Sequence, residues 1–194
     1  MAKEPRPISE LHTETDFDQL DKLIRDIKFA MMTTINAKGV MQSRPMTTQK
    51  RLEGRAFDGT LYFFTSLKTS TVEDISRDPR VNLSYASPDD SRYISIAGTA
   101  AISRDRSLMQ SMWSDVYKAW FPQALDDPEI CLLTVTAERA EYWEPPSGKM
   151  VQLLGILKAA ATGERAKPGG HHVLDMEHAP GESRAAKAKT TSSW

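Results

Sequence analysis

Leu61-Tyr62-Phe63-Phe64-Thr65-Ser66-Leu67-Lys68-Thr69-Ser70-Thr71-Val72-Glu73-Asp74-Ile75 is the stretch on which the fold turns. It opens as an apolar strand, breaks into a hydroxyl-rich turn and restarts as an amphipathic helix over residues 69–77, which Asp78-Pro79 stops. A helix start leaves backbone N–H groups without partners and carries a partial positive charge. Here those groups are surrounded by Ser66, Thr69, Ser70 and Thr71, with Lys68 beside them. Taken alone, the hydroxyls read as N-capping, which Ser and Thr favour at any helix start. Taken with a second cation, they suit a phosphate.

Outward from that stretch, short apolar runs alternate with turns. Phe17, Leu20, Leu23, Ile24 and Ile27 recur at helical spacing, with Thr15 or Asp16 as the expected N-cap. The period then falls to two. Residues 29–35 and 40–48 read as strands joined by a hairpin turn at 36–39, and 49–59 as a loop. Further strands are expected at 61–65, 81–86, 93–102 and 130–143, with Gly98 marking a bulge or a tight bend. Helices are expected over 105–121 and 150–161. Six strands joined by hairpins or single helices predict a mainly β (α+β) fold, a six-stranded antiparallel barrel with peripheral helices. The connections are too short for a doubly wound parallel sheet. The organisation expected is a polar arm at 1–15, one domain at 16–162 and a disordered tail at 163–194, rich in Gly, Ala, Lys, Ser and Thr.

Composition removes several classes of function. The 194 residues carry 25 Lys and Arg against 26 Asp and Glu, so no net field draws in nucleic acid or an anionic membrane. A single cysteine, Cys131, excludes an internal disulfide framework; its apolar neighbours mark it as a buried, inert thiol. No apolar run approaches the roughly 20 residues that span a bilayer, and the first residues lack a signal-peptide core. A cytoplasmic location is expected. His171, His172 and His178 fall in the tail and predict no metal site, and no serine–histidine–acid or paired-carboxylate pattern points to hydrolysis. Neither Gly-x-Gly-x-x-Gly nor a Walker-type loop occurs. Any catalysis must therefore come from a cofactor.

The second cation lies in Gln42-Ser43-Arg44-Pro45-Met46-Thr47. Arg44 offers a planar fork that binds phosphate bidentately and keeps its charge. Pro45 removes a ladder N–H and argues for an edge or irregular strand. An aromatic strand, a phosphate cradle and a guanidinium together point to a flavin mononucleotide. The backbone of Met46 and Thr47 is expected to meet the polar edge of the ring. Of Tyr62/Phe64 and Leu61/Phe63, one pair faces the core and the other faces out or into a site.

These residues resemble the general-stress-protein-26-like group of the pyridoxamine 5′-phosphate oxidase-related, FMN-binding split β-barrels. The resemblance rests on Ser43-Arg44-Pro45-Met46, on residues 61–66, on Val72-Glu73-Asp74-Ile75 with 78–83, on Ile96-Ala97-Gly98-Thr99-Ala100, on Trp120-Phe121-Pro122 and on 137–143. It implies a split barrel that dimerises with FMN, or FAD, at the subunit interface. By position, Arg44, Pro45, Met46 and Thr47 would line the ring and ribityl-phosphate side. Phe64 and Thr65 would contact ring and phosphate, with Ser70 and Thr71 at the phosphate. Trp113 or Trp143 would approach from the partner subunit. One departure stands out: Thr71 occupies a position where the family usually has lysine. The resemblance implies an FMN-dependent oxidoreductase of unknown substrate; the alternatives are a non-catalytic flavin carrier or sensor, and an interaction module that has lost the cofactor.

Overall fold

The computed structural model describes residues 8–49, 56–144 and 170–176. Local chemistry sets the first hairpin. β1 (Phe29–Ile35) and β2 (Met41–Thr47) pair antiparallel in unbroken register, Phe29 opposite Thr47 and Ile35 opposite Met41. Their turn is held by Asn36, whose Oδ1 accepts from the N–H groups of Lys38 and Val40 at 2.9 and 3.0 Å. Gly39 takes φ +76°, a left-handed conformation that costs glycine little.

β3 (Thr60–Ser66), α2 (Ser70–Arg77), β4 (Arg80–Ser87), β5 (Arg92–Ser103), α3 (Arg106–Met112) and β6 (Ile130–Glu144) follow. All pairings are antiparallel, in the order β2-β1-β4-β5-β6-β3. The sheet curls so that its two edges, β2 and β3, approach each other, and the Gln49 N–H donates to the Tyr62 carbonyl across them at 2.9 Å. This is the split barrel anticipated from the strand pattern, and β2 is the edge strand that Pro45 implied. Inside lie Met32, Phe63, Leu83, Tyr85, Ile96, Leu133 and Val135; α1 (Ile8–Ile24) covers the opening with Leu20, Leu23 and Ile24.

Gly98 behaves as expected. The β5–β6 register slips between Ala97 and Gly98, which pair with Arg139 and Ala137, so Glu138 is the extra residue of a bulge. A Cβ on Gly98 would stand 2.1 Å from the Thr136 carbonyl oxygen. At the same point β6 changes its second neighbour, from β3 over residues 130–136 to β7 (Gly170–Asp175) over 139–144.

Four expectations are corrected. Much of the tail from 163 was expected to be disordered, yet its residues 170–175 form a seventh strand, because β6 runs past β3 and leaves an edge that a β-forming segment can complete. α1 starts at Ile8 and not at Asp16: residues 8–15 contain no Pro or Gly to break a helix, and Pro7 just ahead is a favoured residue at a helix start. The helix expected over 105–121 ends at Met112, and residues Asp115–Ala119 form a separate 3-10 turn. Leu108 and the aromatic groups at 113, 117 and 121 pack on the sheet through both pieces, which helical spacing alone does not reveal. The strand expected at 130–143 is not the last. The helix expected at 150–161 and His178 lie outside the described residues.

Candidate functional site

The strand–turn–helix stretch forms as its sequence implies. Thr69 caps α2: its Oγ1 accepts from the Val72 N–H at 3.4 Å and donates to the Ser66 carbonyl at 2.9 Å. Glu73 in the first turn and Arg77 in the last complement the helix dipole. Val72 and Ile75 anchor the inner face in the core, and Thr71 and Asp74 are buried beside them. Thr71 therefore stands at the first turn facing the barrel, while Ser70 is exposed.

Arg44, in the middle of β2, reaches across to this helix. Its Nη1 donates to Thr71 Oγ1, and its Nη2 lies 3.5 Å from Asp74 Oδ2 and 3.4 Å from Gln42 Oε1. Asp74 Oδ2 also accepts from Thr34 Oγ1 at 2.8 Å, tying the helix to β1. Thr34 and Asp74 are almost wholly buried, whereas the Arg44 side chain keeps 21% of its surface exposed. The guanidinium is thus held from behind by Thr71 and Asp74, with one side open. This donor set fits a phosphate group: a fixed fork, a helix start and a hydroxyl converge on one place. The carboxylate of Asp74 offsets part of the positive charge, so the cradle is weaker than its donors alone would make it.

Lys68 is not part of this arrangement. Its ammonium is exposed and paired with Glu129, which precedes β6; that carboxylate raises the lysine pKa, by hydrogen bonding first and charge second. Ser66 closes the turn, its Oγ accepting from the Lys68 N–H at 3.3 Å, and Thr65 Oγ1 is 3.4 Å from Thr69 Oγ1. Pro45 sits outward on β2 opposite Met31, Met46 packs on the core, and Thr47 ends the strand opposite Phe29.

On β3 the alternation resolves cleanly. Leu61 and Phe63 enter the main core; Tyr62 and Phe64 face the other way, under α3 and the 3-10 turn. Phe64 packs edge-on against Trp113 at 5.6 Å and tilted against Tyr117 at 5.4 Å between ring centroids. Trp113 therefore neighbours Phe64 within one chain. Trp143 lies eleven residues beyond Leu132, the residue paired with Phe64, or roughly 35 Å along the strand. It pairs across strands with Tyr93 on the outer face of the sheet.

Two members of the arrangement, Thr34 and Asp74, escaped sequence reasoning. Both carried a signal. Asp74 is three residues past Thr71, hence on the same helix face, and Thr34 alternates with Ala30 and Met32 on the inward side of β1.

Residues 15–167 match the model of the pyridoxamine 5′-phosphate oxidase-like family, and the chain belongs to that family. It is 27% identical over 176 residues to protein bli-3 of Neurospora crassa, covering 84% of this chain and 83% of that protein. It is 30% identical over 115 residues to general stress protein 26 of Bacillus subtilis, covering 57% and 76%. Among solved structures, a provisional general stress protein 26 of Jannaschia sp. CCS1 superposes with a TM-score of 0.62 at 25% identity, covering 87% of this chain and 99% of that one. The general stress FMN/FAD binding protein of Xanthomonas citri shares the fold, with a TM-score of 0.56 at 23% identity over 72% and 92%. Among the described residues no helix is long and apolar enough to cross a membrane.

Proposed function

We propose that the protein binds FMN along the split between β2 and β3, its phosphate between Arg44 and the start of α2. The observation that carries this reading is the contact from Arg44 to Thr71, made between groups 27 residues apart in the chain. The ring would run from there toward Pro45, Met46 and Thr47 on one side and Phe64 and Thr65 on the other. Bound flavin would supply hydride or single-electron transfer; the chain's own residues would bind it, orient it and limit solvent access. Family membership and the likeness to the general stress FMN/FAD binding protein of Xanthomonas citri support the same ligand.

The outer face of the sheet supports a homodimer. Phe29, Met31, Met41, Tyr93, Trp143 and Val173 are large apolar side chains exposed there, more than a solvated face needs. A partner laid on that face would cover Trp143 and bring its own Trp143 to the interface. The balanced charge and the buried Cys131 suit a cytoplasmic protein.

Calorimetry and the visible spectrum of protein freed of excess ligand test the reading. Wild-type chain is expected to retain FMN, and Arg44→Ala to bind it about ten- to a hundredfold more weakly, the loss of one charge-assisted contact. Absence of FMN binding by the wild type overturns the proposal, and FAD in the same assay decides whether the longer nucleotide is accepted. The charge that Asp74 removes from the cradle, together with Thr71 in place of lysine, favours a second reading of the same site: a flavin held loosely enough to exchange, as in a carrier or sensor. Rapid reduction of the bound flavin by NADH or NADPH would argue for the enzyme instead.

A further inference from the structure

A chamber of about 870 Å³ opens at the end of the split, between the C-terminal end of α1, the end of β2, the start of β3 and the 3-10 turn. Phe57, Leu61, Tyr62, Tyr117 and Trp120 give it broad apolar and aromatic walls. Gln49 is the polar group that stands out among its lining residues. It is 8% exposed, its backbone N–H is fixed on Tyr62, and its Nε2 donates to the Thr47 carbonyl at 2.9 Å. Among the described residues that leaves Oε1 buried and without a hydrogen-bond partner, an arrangement that costs free energy unless something donates to it. Burial raises the pKa of the Tyr117 hydroxyl and a hydrogen bond with the Gln49 side chain opposes the rise, while Oε1 itself has no partner among the described residues.

Charge narrows the ligand further. Arg25 and Lys28 are set against Asp21, Asp26 and Asp58 among the lining residues, so the chamber carries no excess of positive charge. With three carboxylates against two cations in its lining, the chamber disfavours a phosphorylated or dianionic molecule. Gln49 is five residues past Arg44, at most about 16 Å along an extended chain, and Thr47, toward which the ring would run, lines the chamber, so the two sites adjoin.

We propose that this chamber binds a planar, uncharged molecule that donates a ring N–H or phenolic O–H to Gln49 Oε1, and that it is the reactant pocket serving the flavin. Only the second clause rests on the reading above; binding to the chamber stands without it. On that balance of charge the reactant is not a phosphorylated pyridoxal-type compound, despite the family's name.

Three probes of one shape decide the matter: 2-naphthol, 2-methoxynaphthalene and 2-naphthyl phosphate, titrated by calorimetry into the full chain, first without flavin and then saturated with FMN. The expected order is 2-naphthol tightest by roughly five- to thirty-fold over the methyl ether, the worth of one hydrogen bond to a buried acceptor, with the phosphate weakest. Gln49→Met should abolish the preference for 2-naphthol over its ether, while Trp120→Ala, at an exposed edge, should weaken both and keep their ratio. The comparison on the unaltered chain stands by itself if Gln49→Met does not fold. Equal binding of the two neutral probes, tighter binding of the phosphate, or one-for-one displacement of 2-naphthol by FMN overturns the proposal. Failure of FMN to bind, with the naphthol preference intact, would sink the flavin reading and leave the chamber.

Discussion

Replacing Asp74 separates what holds the fold from what holds the ligand. In Asp74→Ala the Thr34 hydroxyl, fully buried, loses its acceptor, which costs about 1–3 kcal/mol. Arg44 loses the counter-charge 3.5 Å from its Nη2. A wholly buried pair broken from one side would cost about 3–5 kcal/mol, but water reaches the exposed fifth of Arg44 and takes up much of that. The net expectation is about 3 kcal/mol, or a fall in Tm of roughly 6–12 °C for a chain of this size, read by circular dichroism. Thr34→Val made in the Asp74→Ala background should add little, since the two changes remove the same bond. Asp74→Asn is the more telling variant. It keeps an oxygen for Thr34 while removing one negative charge from behind the cradle. For a phosphate ~6 Å away and an effective dielectric constant of ~40, that is worth about 1.4 kcal/mol per unit of phosphate charge, or a tenfold gain in FMN affinity. A Tm of Asp74→Ala within 2 °C of wild type would refute the energetic role, about 1 kcal/mol being the most so small a shift allows. Unchanged or weaker FMN binding by Asp74→Asn would refute the offset of charge.

Other consequences are simpler to state. Gly98→Ala drives a Cβ into the Thr136 carbonyl and should cost more than about 3 kcal/mol, seen as insoluble protein or a collapse in Tm. Lys68→Ala breaks only an exposed pair with Glu129, so FMN affinity should stay within about twofold; a larger loss would return Lys68 to the site. Burial lifts the Cys131 thiol from 9.0 to about 11, Arg104 opposing slightly, and the Tyr85 phenol from 10.0 to about 12, with the Thr48 hydroxyl opposing. Both pKa values are raised on folding, so both contributions to stability are complete below the unfolded values and are lost as pH climbs through the folded ones. Denaturant midpoints should therefore fall between about pH 9 and pH 12, and native Cys131 should resist a thiol reagent at about pH 8 until the chain unfolds.

The sequence by itself determined the elements whose cause is local. Period-two runs, the Asn36–Gly39 turn chemistry and Asp78-Pro79 after α2 announce strands, a hairpin and a helix end, because alternation, φ restrictions and missing N–H groups act within a few residues. Gly98 announced its bulge in the same way, and Pro45 its edge strand. The resemblance to flavin-binding split barrels was also legible, since short motifs recur in a set order. Tertiary structure alone decided which cation faces the helix. Lys68 is nearer in sequence to Thr71 than Arg44 is, but the chain turns it toward Glu129, while curling of the sheet brings β2 across to α2. It alone decided that Asp74 would share Arg44, that β7 would complete the free half of β6, and that Gln49 would be buried with one oxygen unpaired among the described residues. Pairing between segments far apart depends on loop closure and burial over the whole barrel, and no local pattern encodes where those distant surfaces meet.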